Sequence, residues 1–324
     1  MKQERFRLPA IVFILTFTLL GFVQVKMQHP IILAERFLKG AGWIEIVIIS
    51  LYGAFLTSKM ENRENVPRWR TISWTLFSIV FFSQLLLGLF VEQRFLMTGK
   101  LHLPVPMMII AGPIYRGQFS VMTILFLSTV ILTGPAWCSQ LCYFGAFDNL
   151  ASKGKSSRQK LERKVAIKST FLFLVILGAI ILRLFRVSMI TATILAVSFG
   201  ITGILIMLLL STRMKKMVHC VMYCPIGTVV NLIKPVNPFR MYIDQSCTLC
   251  MHCTLYCKYD ALNPADIRKG KPSITCTLCG DCLAGCTHNS IRYKFFRLSP
   301  EKARNLYIIL TVTLHASFLA LGRI

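Results

Sequence analysis

The chain has 324 residues, 55% of them hydrophobic and only 15% charged, which argues against an ordinary soluble domain and makes membrane spans the first expectation. Its 37 Lys and Arg against 13 Asp and Glu leave a net charge of +24. The basic residues lie in short clusters between apolar runs, so anionic lipid or an acidic protein is favoured as partner over nucleic acid.

The N-terminus is basic (Lys2, Arg5, Arg7) and runs into an apolar stretch from Leu8. Gln24-Val25-Lys26-Met27 follows, with no small-residue cleavage site, so a retained signal anchor is expected rather than a cleaved peptide. Apolar stretches at 8–25, 41–57, 71–91, 119–136, 169–184, 188–210 and 306–321 are candidate spans. Basic residues cluster after the second (Lys59, Arg63, Arg68, Arg70), the fourth (Lys153 to Lys168) and the sixth (Arg213, Lys215, Lys216). By the positive-inside rule these ends and the N-terminus face the cytoplasm, as expected of a multi-pass protein of the cytoplasmic membrane. All twelve cysteines then fall on that same face. Each belongs to a spaced motif, which suits ligands in a reducing compartment better than a disulfide framework.

Between the third and fourth spans, 92–118 holds Leu103-Pro104-Val105-Pro106 and Gly112-Pro113. Prolines so dense are not expected in a regular helix. Leu101–Ile114 is still apolar, which fits an interfacial or re-entrant segment on the outer side or an ordinary outer loop.

An internal repeat follows. Cys138, Cys142, Gly145, Asn149 and Leu150 recur 82 residues later as Cys220, Cys224, Gly227, Asn231 and Leu232. Each copy ends a two-span hairpin of one orientation, so a pseudo-two-fold axis along the membrane normal is expected. On a helix, positions i and i+4 share a face, so each C-x3-C pair would present both sulfurs together. Pro225 would end one helix or begin another. Four thiolates meeting on the axis could hold a third metal site, most naturally iron–sulfur. A redox-active thiol set, a partner contact or plain buried cysteines answer to the same spacing.

The most specific motif is Cys247-x2-Cys250-x2-Cys253-x3-Cys257, repeated as Cys276-x2-Cys279-x2-Cys282-x3-Cys286. Three thiolates so spaced wrap one [4Fe–4S] cube while the fourth ligates its neighbour. Cys247, Cys250, Cys253 and Cys286 are assigned to one cluster, and Cys276, Cys279, Cys282 and Cys257 to the other. Zinc normally uses two C-x2-C pairs across a longer loop. No C-x-x-C is followed by His, so c-type haem is excluded locally.

Residues 240–294 resemble the bacterial-type two-cluster ferredoxins, which implies a compact α+β fold with Met241-Tyr242-Ile243 and Ile291-Arg292-Tyr293 as outer strands. The family's proline after the fourth cysteine is replaced by Lys258 and Thr287. Over most of its length the chain resembles the membrane polyferredoxins. These include the quinol-dehydrogenase subunit of periplasmic nitrate reductase systems, the methylamine-utilisation ferredoxin-type protein and the membrane part of the nitrous-oxide-reductase regulator. Cys220-Val-Met-Tyr-Cys224-Pro225 matches the family element, whereas Tyr143 stands where the first copy should have proline. The resemblance implies electron transfer between a membrane quinone pool and a redox partner.

The expected architecture is an all-α polytopic membrane bundle of about six or seven transmembrane helices with a small α+β ferredoxin-like domain. Residues 1–70 form N-terminal transmembrane helices, 71–235 the repeated hairpins, 236–297 the two-cluster domain and 298–324 a last span. A quinone head needs a proton-carrying group near the interface, and Glu45, His102 and His315 are the candidates. Paired histidines for transmembrane b-type haems are missing. The cluster domain is basic (Lys258, Arg268, Lys269, Lys271, Arg292, Lys294 and Arg297 against Asp244, Asp260, Asp266 and Asp281), which suits an acidic ferredoxin- or flavodoxin-like carrier. An accessory factor that donates electrons for metalloenzyme maturation, or an anchor subunit of a larger oxidoreductase, would use the same ligands.

Overall fold

The computed structural model describes residues 7–96, 105–157 and 159–321. Among these, seven helices are long and apolar enough to cross a membrane: α1 (Arg7–Lys26), α2 (Ala41–Met60), α3 (Arg63–Phe90), α4 (Met122–Leu141), α5 (Lys164–Leu184), α6 (Met189–Met214) and α7 (Pro300–Leu321). Each overlaps one of the seven apolar stretches, with ends that differ by a few residues. Most extend past the apolar run into flanking charged sequence, because those side chains find partners. Lys164 and Lys168 at the start of α5 are buried, and both donate hydrogen bonds.

The chain divides into two compact units, Met1–His102 with Glu301–Ile324, and Leu103–Pro300. In the first, α1, α2, α3 and α7 pack through Val12, Leu56, Met60, Val66, Ile308 and Val312. A second cluster joins Leu20, Ile32, Ile46 and Ala320. Small residues let these backbones approach: a Cβ on Gly53 would lie 3.3 Å from Val12 and 3.5 Å from Ala316. Hydroxyls turn back onto their own helices, as Ser50 does to Ile46 O (2.7 Å) and Thr57 to Gly53 O (2.9 Å). Large apolar side chains such as Phe22, Ile44 and Ile79 are exposed, the arrangement a lipid surroundings favours and water does not.

The second unit holds α4, α5, α6, several short helices and the sheet. Its first short helix, Met108–Arg116, contains Pro113, contrary to the expectation of no regular helix here. Proline at 113 leaves the carbonyl of Ile109 without its helical donor, and the Thr123 hydroxyl supplies the bond instead, at 3.0 Å. This helix is tied to the end of α5 by Arg183 to Ile114 O (3.2 Å) and to the following turn by Tyr115 to Val187 O (2.7 Å).

Strands β1 (Phe239–Ile243) and β2 (Ile291–Phe295) pair antiparallel, with Met241 opposite Tyr293 and Ile243 opposite Ile291. Alternation buries Phe239, Met241 and Ile243 against Ile291 and Tyr293. The two strands bracket both four-cysteine runs and hold their ends together.

Candidate iron–sulfur centres

The two tandem runs fold alike. In Cys247-Thr-Leu-Cys250 and Cys276-Thr-Leu-Cys279 the leucine is left-handed, with φ +57° at Leu249 and +58° at Leu278. The residue after each second cysteine is left-handed too: Met251 at +60° and Gly280 at +84°. Three residues past each fourth cysteine the conformation returns, at Asp260 and Asn289, both +51°. Non-glycine residues rarely adopt it, so matching positions in both runs mark one loop design used twice. Its effect is visible at the last pair, where Ala261 N–H donates to Cys257 Sγ and Ser290 N–H to Cys286 Sγ, each at 3.2 Å. Such bonds stabilise a thiolate and tune a cluster's potential. Tyr256 and Gly285 occupy equivalent positions in the two runs, and the Tyr256 ring lies so close over Gly285 that a Cβ there would be 2.4 Å from it.

Cys247, Cys250, Cys253 and Cys286 line one cavity, closed by Ile243 and Ile291 from the strand ends. Burial and then the neighbouring Cys286, Cys247 and Cys250 push the Cys253 thiol up to about 12. Cys282 is raised by burial and by Cys279, Cys257 and Cys276. Cys257 is pushed to about 12 by burial and Cys276. The thiols thus act chiefly in two neighbouring groups, one around Cys253 and one around Cys282, with Cys253 also acting on Cys282. Crowded, buried thiols stay protonated until a metal takes the proton's place. Among the described residues no three His, Cys, Asp or Glu side chains converge on a point that would hold a single ion. A [4Fe–4S] cube takes four thiolates, one per iron, and the four cysteines that line the first cavity supply that donor set.

The C-x3-C pairs do not lie on regular α-helices as the i, i+4 argument expects. Cys138 sits in a π turn, Trp137–Leu141, and Cys142 caps the next helix, Tyr143–Ala151. The second copy matches it: a π turn His219–Tyr223 holds Cys220, and Cys224 caps Pro225–Ile233. The wider turn is closed by Cys142 N–H to Trp137 O and Cys224 N–H to His219 O, both 2.9 Å. Pro225 takes the first helical position, where its missing N–H costs nothing, and Tyr143 does the same in the other copy.

All four of these cysteines line a single cavity, together with Lys168, Tyr259, Thr275 and Thr277. Burial is the main reason that Cys142, Cys220 and Cys224 are raised, with neighbouring thiols adding to it for Cys142 and Cys220. The N–H groups of Phe144 and Gly145 work the other way on Cys142, as do those of Ile226 and Gly227 on Cys224. Gly227 is needed for the close approach, since a Cβ would lie 3.0 Å from Cys220 O.

Spacing did not reveal what joins this cavity to the tandem runs. Tyr259, two residues past Cys257, donates from its hydroxyl to Cys138 O at 2.7 Å. Lys258, where a ferredoxin would have proline, donates to Asn149 O at 3.2 Å. Asp260 is buried and accepts from Lys164 (2.8 Å), Lys216 (2.5 Å) and Leu161 N–H (3.1 Å). Burial would raise its carboxyl, but the two ammonium groups outweigh that and hold it low. In the sequence Lys164, Lys168 and Lys216 look like flanking charge; the signal available was only their position at span ends.

Of the other candidates, Glu45 lines an apolar cavity of about 480 Å³ with Leu33, Phe37, Ile44, Ile48 and Phe95. Its Oε2 accepts from Ala34 N–H at 2.6 Å, and the Arg36 charge acts on it. His315 does not line that cavity: it is buried, 3.0 Å from the Tyr52 hydroxyl, with the Phe77 ring 5.4 Å away. His102 lies outside the described residues.

A protein-family model described as a 4Fe-4S binding domain matches the chain twice, at residues 118–167 and 190–237. Each match contains one C-x3-C pair, and both lie outside the tandem runs. No curated protein and no solved structure matches the chain. Two 4Fe-4S binding regions, twelve cysteines free of disulfides and several helices able to span a membrane describe an iron–sulfur, electron-transfer type of membrane protein.

Proposed function

We propose that this protein is a quinone-linked membrane polyferredoxin that relays single electrons between the membrane quinone pool and a redox partner at the cytoplasmic face. The observation that carries the reading is the gathering of Cys138, Cys142, Cys220 and Cys224 on one cavity. Each matched 4Fe-4S stretch has only two cysteines, half of what a four-thiolate cluster needs, and the two stretches together have four. The twelve thiolates accordingly make three sites: two [4Fe–4S] clusters on the tandem runs and a third iron–sulfur site shared by the repeat copies. The matching π turns and capped helices support a repeat of two-span hairpins about a pseudo-two-fold axis.

Bound at these sites, iron–sulfur clusters supply one-electron transfer with no bond made or broken. The chain's part is to present thiolates, exclude water and hold the sites in series. Tyr259 and Thr277, each beside a ligand of the second cluster, also line the third cavity, so that cluster neighbours it. Exposed Arg268, Lys269, Lys271, Lys294 and Arg297, with the exposed Cys250 at the first cluster, suit an acidic carrier of the ferredoxin or flavodoxin kind. Glu45 on its apolar cavity is the favoured quinone contact, having both an apolar wall and a group able to take a proton. The basic loops favour a cytoplasmic-membrane location with the cluster face inside.

Iron and acid-labile sulfide analysis of the full chain tests the three sites. About twelve irons per chain are expected, falling to about eight in Cys220→Ser/Cys224→Ser, at four irons per cluster. An iron content that this double variant leaves unchanged rejects the third site. Redox-monitored EPR of membranes with added quinol tests the quinone link, which fails if no iron–sulfur signal responds.

A further inference from the structure

The start of α5 and the turn after α6 bury three lysines, and their partners differ. Lys164 and Lys216 share the carboxylate of Asp260. Lys168 is as deeply buried, 2% exposed, yet among the described residues no carboxylate lies within ion-pair distance of it. Its ammonium donates to Gly227 O at 3.3 Å and, with the Asn231 amide turned to its hydrogen-bonded orientation, to Asn231 Oδ1 at 2.6 Å. Both partners are neutral. The same ammonium lines the four-cysteine cavity, where the groups whose charge acts most strongly on it are Cys138, Cys224 and Cys220.

A buried ammonium without an anion is costly, and neutral acceptors offset that cost only in part. Four thiolates around an iron–sulfur core leave a net anion, more negative by one charge when reduced. We infer that Lys168 is the built-in counter-charge of the four-cysteine site, held toward the sulfurs by Gly227 and Asn231, and that it raises the reduction potential of the group bound there. The inference rests on the reading of that cavity as an iron–sulfur site. It also gives two of the repeated residues work: Gly227 lets the chain come close to Cys220, and Asn231 orients the lysine. In the other copy Asn149 holds Lys258 instead, beside the second cluster, so the sequence repeat carries one lysine per copy to different sites.

A positive charge at a redox centre favours the reduced form, because reduction adds an electron beside it. Lys168→Gln keeps a hydrogen-bond donor and removes the charge; Lys168→Arg keeps the charge. Redox-titrated EPR on the full chain should show the third-site potential of Lys168→Gln lowered by at least tenfold in the reduction equilibrium, about 59 mV for one electron. The signals of the two tandem clusters should stay put, and Lys168→Arg should track the wild type. Should Lys168→Gln lose only the third-site iron while Lys168→Arg retains it, the counter-charge role is supported through assembly. An unchanged potential in a fully loaded Lys168→Gln overturns the inference, as does equal loss of iron in both variants. A wild-type chain with about eight irons overturns the site reading beneath it, a separate result from a failed potential shift.

Discussion

The tandem cysteine runs and the four-cysteine cavity gather the same kind of ligand by opposite routes. In the tandem segment the cysteines of a run lie three or four residues apart, left-handed residues at matching positions curl both runs, and the first three cysteines of one run line a cavity with the last cysteine of the other. In the cavity between the repeats no stretch suffices alone: each copy brings two sulfurs, one in a π turn and one at a helix cap. The first route depends on local turns and leaves Cys250 exposed; the second depends on packing and buries a cation with the thiols. A locally built site should therefore survive damage to its surroundings, whereas a converging one should fail with its scaffold.

The strongest way to break the comparison is to cut what ties the two together. Asp260 follows Cys257 by three residues and neutralises Lys164 and Lys216, which flank the apolar helices. Asp260→Ala leaves two buried ammonium groups without an anion, a loss of about 3–5 kcal/mol for breaking a buried pair. Limited proteolysis and thermal unfolding in detergent should show the tandem segment loosened. EPR should show its cluster signals outlasting the third. Simultaneous loss of all signals would mean that the tandem segment is not self-sufficient.

A smaller change probes the local route by itself. In Gly285→Ala the new Cβ meets the Tyr256 ring at 2.4 Å. Overpacking of that kind costs about 1–3 kcal/mol, with the low end expected because the ring is only half-buried and can swing outward. The EPR signals of the two tandem clusters should broaden or shift, with the third unaffected. Tyr256→Ala in the same chain should restore them; a defect that persists would place the constraint in the backbone at 285 instead.

The two routes differ equally in how far the sequence discloses them. Spacing alone groups the eight tandem cysteines, because three-residue steps determine which thiolates can reach one cube. The seven apolar stretches are legible for a comparable reason, since span length is imposed by the bilayer. The repeat shows that two C-x3-C pairs are related, but not that they converge; that depends on contacts such as Tyr259 to Cys138, more than a hundred residues apart. An i+4 spacing also conceals the π turn, whose closing bond spans five residues. Pro113 inside a helix was unreadable because the compensating hydroxyl belongs to Thr123, on another element. Lys168 looks like one more membrane-flanking charge until its neighbours are known to be sulfurs.

The mildest test bears on the seam itself. Tyr259→Phe removes one hydroxyl, the donor to Cys138 O at 2.7 Å, and keeps a ring that is 4% exposed. A single neutral hydrogen bond of this kind contributes about 0.5–1.5 kcal/mol, and the carbonyl left behind adds to the loss if water does not reach it. Stability should therefore fall by about 1–2 kcal/mol with iron content unchanged. The third-site signal is expected to shift slightly, because the proposed ligand Cys138 is held through its backbone, while the tandem signals stay as they are. If instead the tandem signals move and the third does not, the hydroxyl serves the ferredoxin-like segment, and the cavity is held in place from the membrane helices alone.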